Sequence, residues 1–100
     1  MPIQMITPQE MLKRIAEKAR AKRLSLDLSQ LTLSERSGVS YGVLKKFERT
    51  GRISLESLLK LGLILGSLGD FDLVFAPNKP EEALSLDELM QDNKRKRGRK

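Results

Sequence analysis

The sequence contains no cysteine, no histidine and no tryptophan, and only 4% of its residues are aromatic. Without cysteine the chain forms neither disulfide bonds nor thiolate metal sites, so packing must stabilise it, as suits a reducing cytoplasm. The absence of histidine and cysteine also removes the commonest general bases, nucleophiles and transition-metal ligands. We therefore expect a protein that is not an enzyme and that uses no metal and no cofactor.

Long apolar runs are also missing. The longest nearly apolar stretch, residues 61–66, is too short to span a bilayer. The first residues lack the basic and apolar regions of a signal peptide, so we expect a cytoplasmic protein. A length of 100 residues predicts one folded domain over residues 1–76, followed by an acidic linker, a short helix and a basic tail over residues 77–100.

The net charge of +6 is unevenly distributed. Residues 1–66 carry 12 Lys/Arg against six Asp/Glu, residues 67–93 carry one against seven, and residues 94–100 carry six bases and no acid. A basic domain with a basic tail is typical of a protein that binds polyanions. Binding to a membrane surface is the competing use of this charge. It would require a basic amphipathic helix with bulky aromatics, which only the first predicted helix approaches.

A first helix is predicted over residues 8–23. Thr7 can cap it, Pro8 suits its first position and Glu10 completes a capping box. The apolar residues that then recur at helical spacing are Leu12, Ile15, Ala16 and Ala19. The alternating leucines at 24, 26 and 28 are expected to lie in a short ordered connector with their side chains inward.

Three further helices are predicted from serine caps. Ser29 precedes a second helix that ends before Gly38, which can adopt the left-handed conformation of a tight turn. Ser40 precedes a third helix that ends near residues 50–51, and Ser54 precedes a fourth that extends to residue 66. The apolar stripe expected on the fourth helix is Leu55, Leu58, Leu59 and Leu65.

The segment after residue 66 fits two structures. The apolar positions with helical spacing are Leu68, Phe71, Val74 and Phe75, and those with strand alternation are Phe71, Leu73 and Phe75.

Further on, residues 77–80 (PNKP) indicate a linker, and the capping box at residues 85–88 predicts a helix to about residue 95. Asp70 and Asp72 have the spacing of divalent-ion ligands, but two acids without a third ligand are typical of a solvated surface.

Residues 28–48 (LSQLTLSERSGVSYGVLKKFE) carry the functional signal. They predict a helix, a three-residue turn containing glycine and a second helix, which is the spacing of a DNA-binding helix-turn-helix. Ser34 is small where the two helices approach closely. The residues expected to fill the angle between the helices and to anchor the second helix are Val39, Leu44 and Phe47. The outward positions of that second helix are Tyr41, Gly42, Lys45 and Lys46.

The segment QLTLSERSGVSYGVLKKFERTG, followed by ISLESLLKLGLILG, resembles the Cro/C1-type (Xre-like) transcriptional regulators. The resemblance covers residues 8 to about 66 and implies an all-α, lambda-repressor-like fold of five helices. Two positions depart from the family pattern. Ser34 replaces the usual alanine, and Gly42 lies within the readout helix, where it costs about 1 kcal/mol of helix propensity relative to alanine.

The wider pattern resembles HipB-type antitoxins, which are small regulators encoded beside HipA-family kinase toxins. It consists of RLSLDLSQ before the motif, GRISLESLLKL after it, an acidic linker and then SLDELMQDNKRKRGRK. This resemblance implies a homodimeric repressor of its own toxin–antitoxin operon. The alternatives are an interaction module that acts mainly by binding the toxin kinase, and a stand-alone phage-type regulator without a toxin partner.

The family resemblance implies a role for individual residues. Gln30 would contact a phosphate through its amide and backbone N–H, and Ser40 would cap its helix and bond a phosphate or base edge. Gly42 would permit a close approach to the groove, whereas Glu48 is expected to pair within the protein. The residues expected to face bases are Tyr41, Lys45 and Lys46. Those expected near the DNA backbone are Arg49, Thr50 and Arg52, of which Arg52 fits a solvated position equally well.

A dimer contact is expected within residues 67–76. Phe71, Val74 and Phe75 would otherwise expose apolar area on a small domain. A dimer gains specificity because it reads two half-sites about one helical turn of DNA apart. The expected partners are therefore double-stranded operator DNA, a second copy of the chain and a HipA-family kinase toxin.

Overall fold

The computed structural model describes residues 6–77, which contain helices and no strand. The elements are α1 (Pro8–Ser25), α2 (Gln30–Ser37), α3 (Tyr41–Thr50), α4 (Leu55–Ile64) and a 3₁₀ helix (Leu68–Leu73). The all-α prediction is confirmed, and residues 70–76 do not form the alternative strand. The linker beyond residue 77, the helix near residue 86 and the basic tail lie outside the described residues, so the division at residue 76 stays a prediction.

Each α-helix begins where a side chain satisfies its first backbone N–H groups. Thr7 Oγ1 accepts from the Glu10 N–H at 3.1 Å, and Glu10 Oε1 accepts from the Thr7 N–H at 2.9 Å. The hydroxyls of Ser29, Ser40 and Ser54 each accept from the N–H three residues on, at 3.0, 3.2 and 3.1 Å. All four predicted helix starts are therefore confirmed.

The core lies where α3 meets α1 and α2, and where α2 meets α4. Its buried apolar side chains are Ala16, Leu33, Val39, Leu44, Phe47, Leu61 and Leu65. The predicted packing of the helix-turn-helix is confirmed, because Val39, Leu44 and Phe47 are at most 3% exposed. The helix-turn-helix is thus built directly on the hydrophobic core.

Some leucines predicted to lie inward are exposed. Leu24 lies in the last turn of α1, which extends to Ser25, rather than in a connector, and is 48% exposed. Leu26 is 45% exposed where the chain reverses through the left-handed Asp27, and only Leu28 packs on the core. On α4 the buried side is formed by Leu61, Gly62 and Leu65. Leu55, in the first turn of that helix, is 66% exposed.

The contact between α1 and the end of α3 requires glycine. Gly51 ends α3 with φ +85°, and a Cβ atom there would lie 2.5 Å from both the carbonyl carbon and the carbonyl oxygen of Leu12. Only a residue without a side chain allows this approach of the two backbones. The position of α3 against α1 is fixed at this point.

Candidate nucleic-acid interface

The turn between α2 and α3 is held by hydrogen bonds of small side chains. Gly38 adopts φ +80° and donates its N–H to the Ser34 carbonyl at 3.0 Å. The Ser34 hydroxyl donates to the Val39 carbonyl at 2.6 Å, and the Val39 N–H donates to the Ser37 hydroxyl at 3.1 Å. These bonds fix the angle at which α3 leaves α2, and a serine at position 34 thereby contributes a bond that alanine lacks.

A buried ion pair joins α1 to α3. Arg23 Nε and Nη2 donate to Glu48 Oε2 and Oε1 at 2.7 and 2.9 Å, and Arg23 Nη1 donates to the Leu28 carbonyl at 2.8 Å. The two side chains are 7% and 5% exposed. The hydrogen bond to Glu48, with its coulombic attraction, raises the pKa of the Arg23 guanidinium against the opposing effect of burial. The expected internal pairing of Glu48 is confirmed.

The sequence alone does not identify Arg23 as the partner of Glu48. Arg23 lies in a basic run and therefore resembles a solvated residue. A signal was present, however, because Arg23 continues the inward row of Ala16 and Ala19 at helical spacing. An arginine on the apolar side of a helix is rarely buried unless it is paired.

Gln30 is the third member of this polar group. Its Nε2 donates to Glu48 Oε1 at 2.9 Å, so the amide of the first residue of α2 is held against α3. The second amide N–H and the backbone N–H of Gln30 are the donors that the predicted phosphate contact would use. Glu48 therefore connects the two helices of the motif as well as α1.

The outward side of α3 carries the predicted readout residues. The residues on it at i, i+3, i+4 and i+7 spacing are Gly42, Lys45, Lys46 and Arg49, all exposed and opposite the buried Leu44 and Phe47. Tyr41 is 43% exposed, and the Lys45 ammonium lies 4.9 Å from the centre of its ring, a cation–π contact. A Cβ on Gly42 would meet no atom within 4 Å.

The end of α3 shows which of the remaining predicted residues already have internal partners. The Thr50 hydroxyl donates to the Lys46 carbonyl at 2.8 Å and accepts from the Arg52 N–H at 3.1 Å, so it closes the helix end. The Ser40 hydroxyl is similarly engaged as the cap of α3. Arg49 and Arg52 are exposed beside this end.

The three predicted dimerisation residues differ in their surroundings. Phe71 packs on α4, with its Cε2 only 3.0 Å from the place where a Cβ on Gly62 would lie. Val74 and Phe75, which follow the 3₁₀ helix, are 57% and 100% exposed. Phe71 therefore attaches this segment to the domain, whereas the other two side chains lack apolar cover within residues 6–77.

A family model described as helix-turn-helix matches residues 20–71, from the last turns of α1 into the 3₁₀ helix. The match spans just over half of the 100 residues and includes the turn, the ion pair and the outward side of α3. Comparison with curated proteins finds no match. Within residues 6–77, none of the helices has the combination of length and apolar character required to cross a membrane.

Proposed function

Because the chain belongs to the Cro/C1-type helix-turn-helix family of DNA-binding transcriptional regulators, we propose that it is a homodimeric repressor with α3 in the major groove. The observation that carries this proposal is the chemistry of α3. Lys45, Lys46 and Arg49 are exposed, whereas Glu48, the only acid of the helix, is buried against Arg23. The charged side chains on the exposed side of α3 are therefore all basic, as contact with a polyanion requires.

The proposed dimer uses the segment after the 3₁₀ helix. Val74 and Phe75 extend an apolar surface that water would otherwise cover at a cost in free energy. A two-fold dimer through this segment would present two copies of α3 to one face of the duplex. Repression then follows from occupancy of an operator made of two related half-sites.

The proposed biological setting is a toxin–antitoxin operon, with this chain as the HipB-like antitoxin and a HipA-type kinase as its partner. Its support is the resemblance of residues 23–30 and 51–61, together with exposed leucines on α4 that the DNA contact does not use. Leu55 and Leu63 are 66% and 61% exposed and lie on one side of α4. The alternative of a module that acts mainly through the kinase depends on this same apolar surface.

The experiment that tests the proposed function is selection of binding sites from a random duplex library. We expect enrichment of an inverted repeat whose half-sites lie about 10 base pairs apart or a multiple of that distance. Enrichment of no sequence would contradict a specific repressor. Co-purification with the product of a neighbouring kinase gene tests the antitoxin setting, and a protein that never associates with such a kinase would favour the stand-alone regulator.

A further inference from the structure

The outward side of α3 offers hydrogen-bond donors almost without acceptors. Its polar side-chain groups are two ammonium groups, one guanidinium and the hydroxyl of Tyr41. Lysine and arginine donate and cannot accept, and a tyrosine hydroxyl is the only group among them that can do both. The carboxylate of Glu48 is not available to DNA as an acceptor, because it is buried and bonded to Arg23 and Gln30.

Base pairs differ in what they offer to such a surface in the major groove. Guanine presents two neighbouring acceptors, N7 and O6, whereas adenine pairs one acceptor with a donor, cytosine presents a donor and thymine one acceptor with a methyl group. A helix that exposes donors therefore gains most from guanine. It meets an unfavourable donor at cytosine N4 and adenine N6.

Lys45 is the residue best placed to make that contact. It follows Gly42 by one turn of α3, and the absence of a side chain at Gly42 allows the helix backbone to lie close to the base edges. The N-terminal part of a recognition helix is the part that contacts bases, and Lys45 and Tyr41 both lie in the first half of α3. Arg49 lies nearer the C-terminal end, beside the expected DNA backbone.

We propose that Lys45 reads guanine in the operator half-site and that Tyr41 acts as its positioning residue. This inference rests on the proposed function and adds the class of base that is recognised. The Tyr41 ring lies one helical turn before Lys45 and holds its ammonium at 4.9 Å from the ring centre. An otherwise flexible lysine chain is thereby restricted before DNA binds, so less conformational entropy is lost in the complex.

The test uses the half-site selected from the random library. Each guanine under α3 is replaced in turn by inosine, which keeps N7 and O6, and by 7-deazaguanine, which lacks N7. Replacement by inosine should leave the affinity of the wild-type protein unchanged, and 7-deazaguanine at one position should lower it by about tenfold. A half-site without guanine under α3, or one insensitive to 7-deazaguanine, would overturn the inference.

Protein variants then assign that position to one side chain. Lys45→Met should abolish the discrimination between guanine and 7-deazaguanine, whereas Lys60→Met, which removes an exposed charge on α4, should retain it. Tyr41→Phe should retain the discrimination because the ring remains, and Tyr41→Leu should weaken it by about threefold. Circular dichroism would verify that each variant is folded.

The outcomes separate this inference from the proposed function. Loss of discrimination in Lys46→Met but not in Lys45→Met would overturn the assignment to Lys45. The proposed repressor function would be unaffected. Equal losses of discrimination in Tyr41→Phe and Tyr41→Leu would overturn the positioning role of the ring and assign the effect to the hydroxyl. Failure to enrich any DNA sequence would instead refute the proposed function itself.

Discussion

Arg23 of α1 and Glu48 of α3 form a bidentate ion pair, with nitrogen–oxygen distances of 2.7 and 2.9 Å, although they lie 25 residues apart in the sequence. Since Gln30 donates to the same carboxylate, one acid fixes three helices relative to each other. α3 is therefore held on two sides, by the core beneath it and by this polar group at its flank.

Replacing Glu48 with glutamine should lower the free energy of unfolding by about 3 kcal/mol, because the buried Arg23 charge loses its partner. Chemical denaturation would measure the change, with Glu35→Gln on the exposed side of α2 as the control, expected within about 0.5 kcal/mol of wild type. The double variant Arg23→Met/Glu48→Leu should be more stable than Glu48→Gln. Equal stability of Glu48→Gln and wild type would contradict a stabilising role for the pair.

The double variant Lys45→Ala/Lys46→Ala should lose specific operator binding and retain its fold, since both side chains are exposed. Binding titrations against operator and random duplex would measure this loss. Lys13→Ala/Lys18→Ala removes the same charge from exposed positions of α1 and is the matched control. A folded Lys45→Ala/Lys46→Ala variant with wild-type operator affinity would show that α3 is not the readout helix.

Gly42→Ala should separate stability from DNA binding. A methyl group there meets no protein atom within 4 Å, so the variant should gain up to about 1 kcal/mol in helix propensity. Its operator affinity should fall, because the same methyl group would lie between α3 and the groove. Thermal unfolding and DNA titration of the same sample would measure both effects, and unchanged operator affinity would exclude a close approach at this residue.

The dimer prediction is best tested at Val74 and Phe75. Serine at both positions should shift sedimentation toward monomer and weaken binding to operator more than binding to random DNA, because a monomer reads one half-site. Phe71→Ser is less informative, since Phe71 also packs against Gly62. Leu55→Ser on α4 serves as the control for loss of an exposed apolar side chain. A wild-type protein that sediments as a monomer at micromolar concentration would refute this interface.

Deletion of residues 94–100 should lower DNA affinity almost equally for operator and random duplex. The segment carries six Lys/Arg in seven residues, and each phosphate contact that it makes would steepen the salt dependence by about one unit. Binding of full-length and truncated protein to both DNAs across a salt series measures the effect. Identical salt slopes would exclude a DNA role for the tail and favour contact with an acidic surface of a toxin.

The helices were predictable because their signals are local. Thr7, Ser29, Ser40 and Ser54 each cap a helix through an N–H only three residues away, and Gly38 ends α2 through its own backbone conformation. The buried faces of α2 and α3 follow from spacing within a single helix. Such features are set by neighbours in the sequence and need no knowledge of the tertiary structure.

The features that could not be predicted from the sequence depend on contacts between residues that lie far apart along the chain. The partner of Glu48 could not be derived from spacing, because α1 and α3 meet only in the folded chain. The exposure of Leu24 and Leu55 likewise depends on where α1 ends and on how the first turn of α4 lies against the core. At residues 68–73 the short apolar run fitted helix and strand equally, and packing of Phe71 on α4 accompanies the 3₁₀ helix.

The approach of Gly51 to the backbone of Leu12 limits how this chain can vary under selection. In a library randomised at positions 42 and 51 and selected only for folding, position 42 would accept many residues, whereas position 51 would return glycine. Selection for operator binding would then restrict the residues accepted at position 42, whereas position 51 would remain glycine. Relatives that recognise other operators should therefore diverge across the outward side of α3 and keep the glycine on which that helix ends.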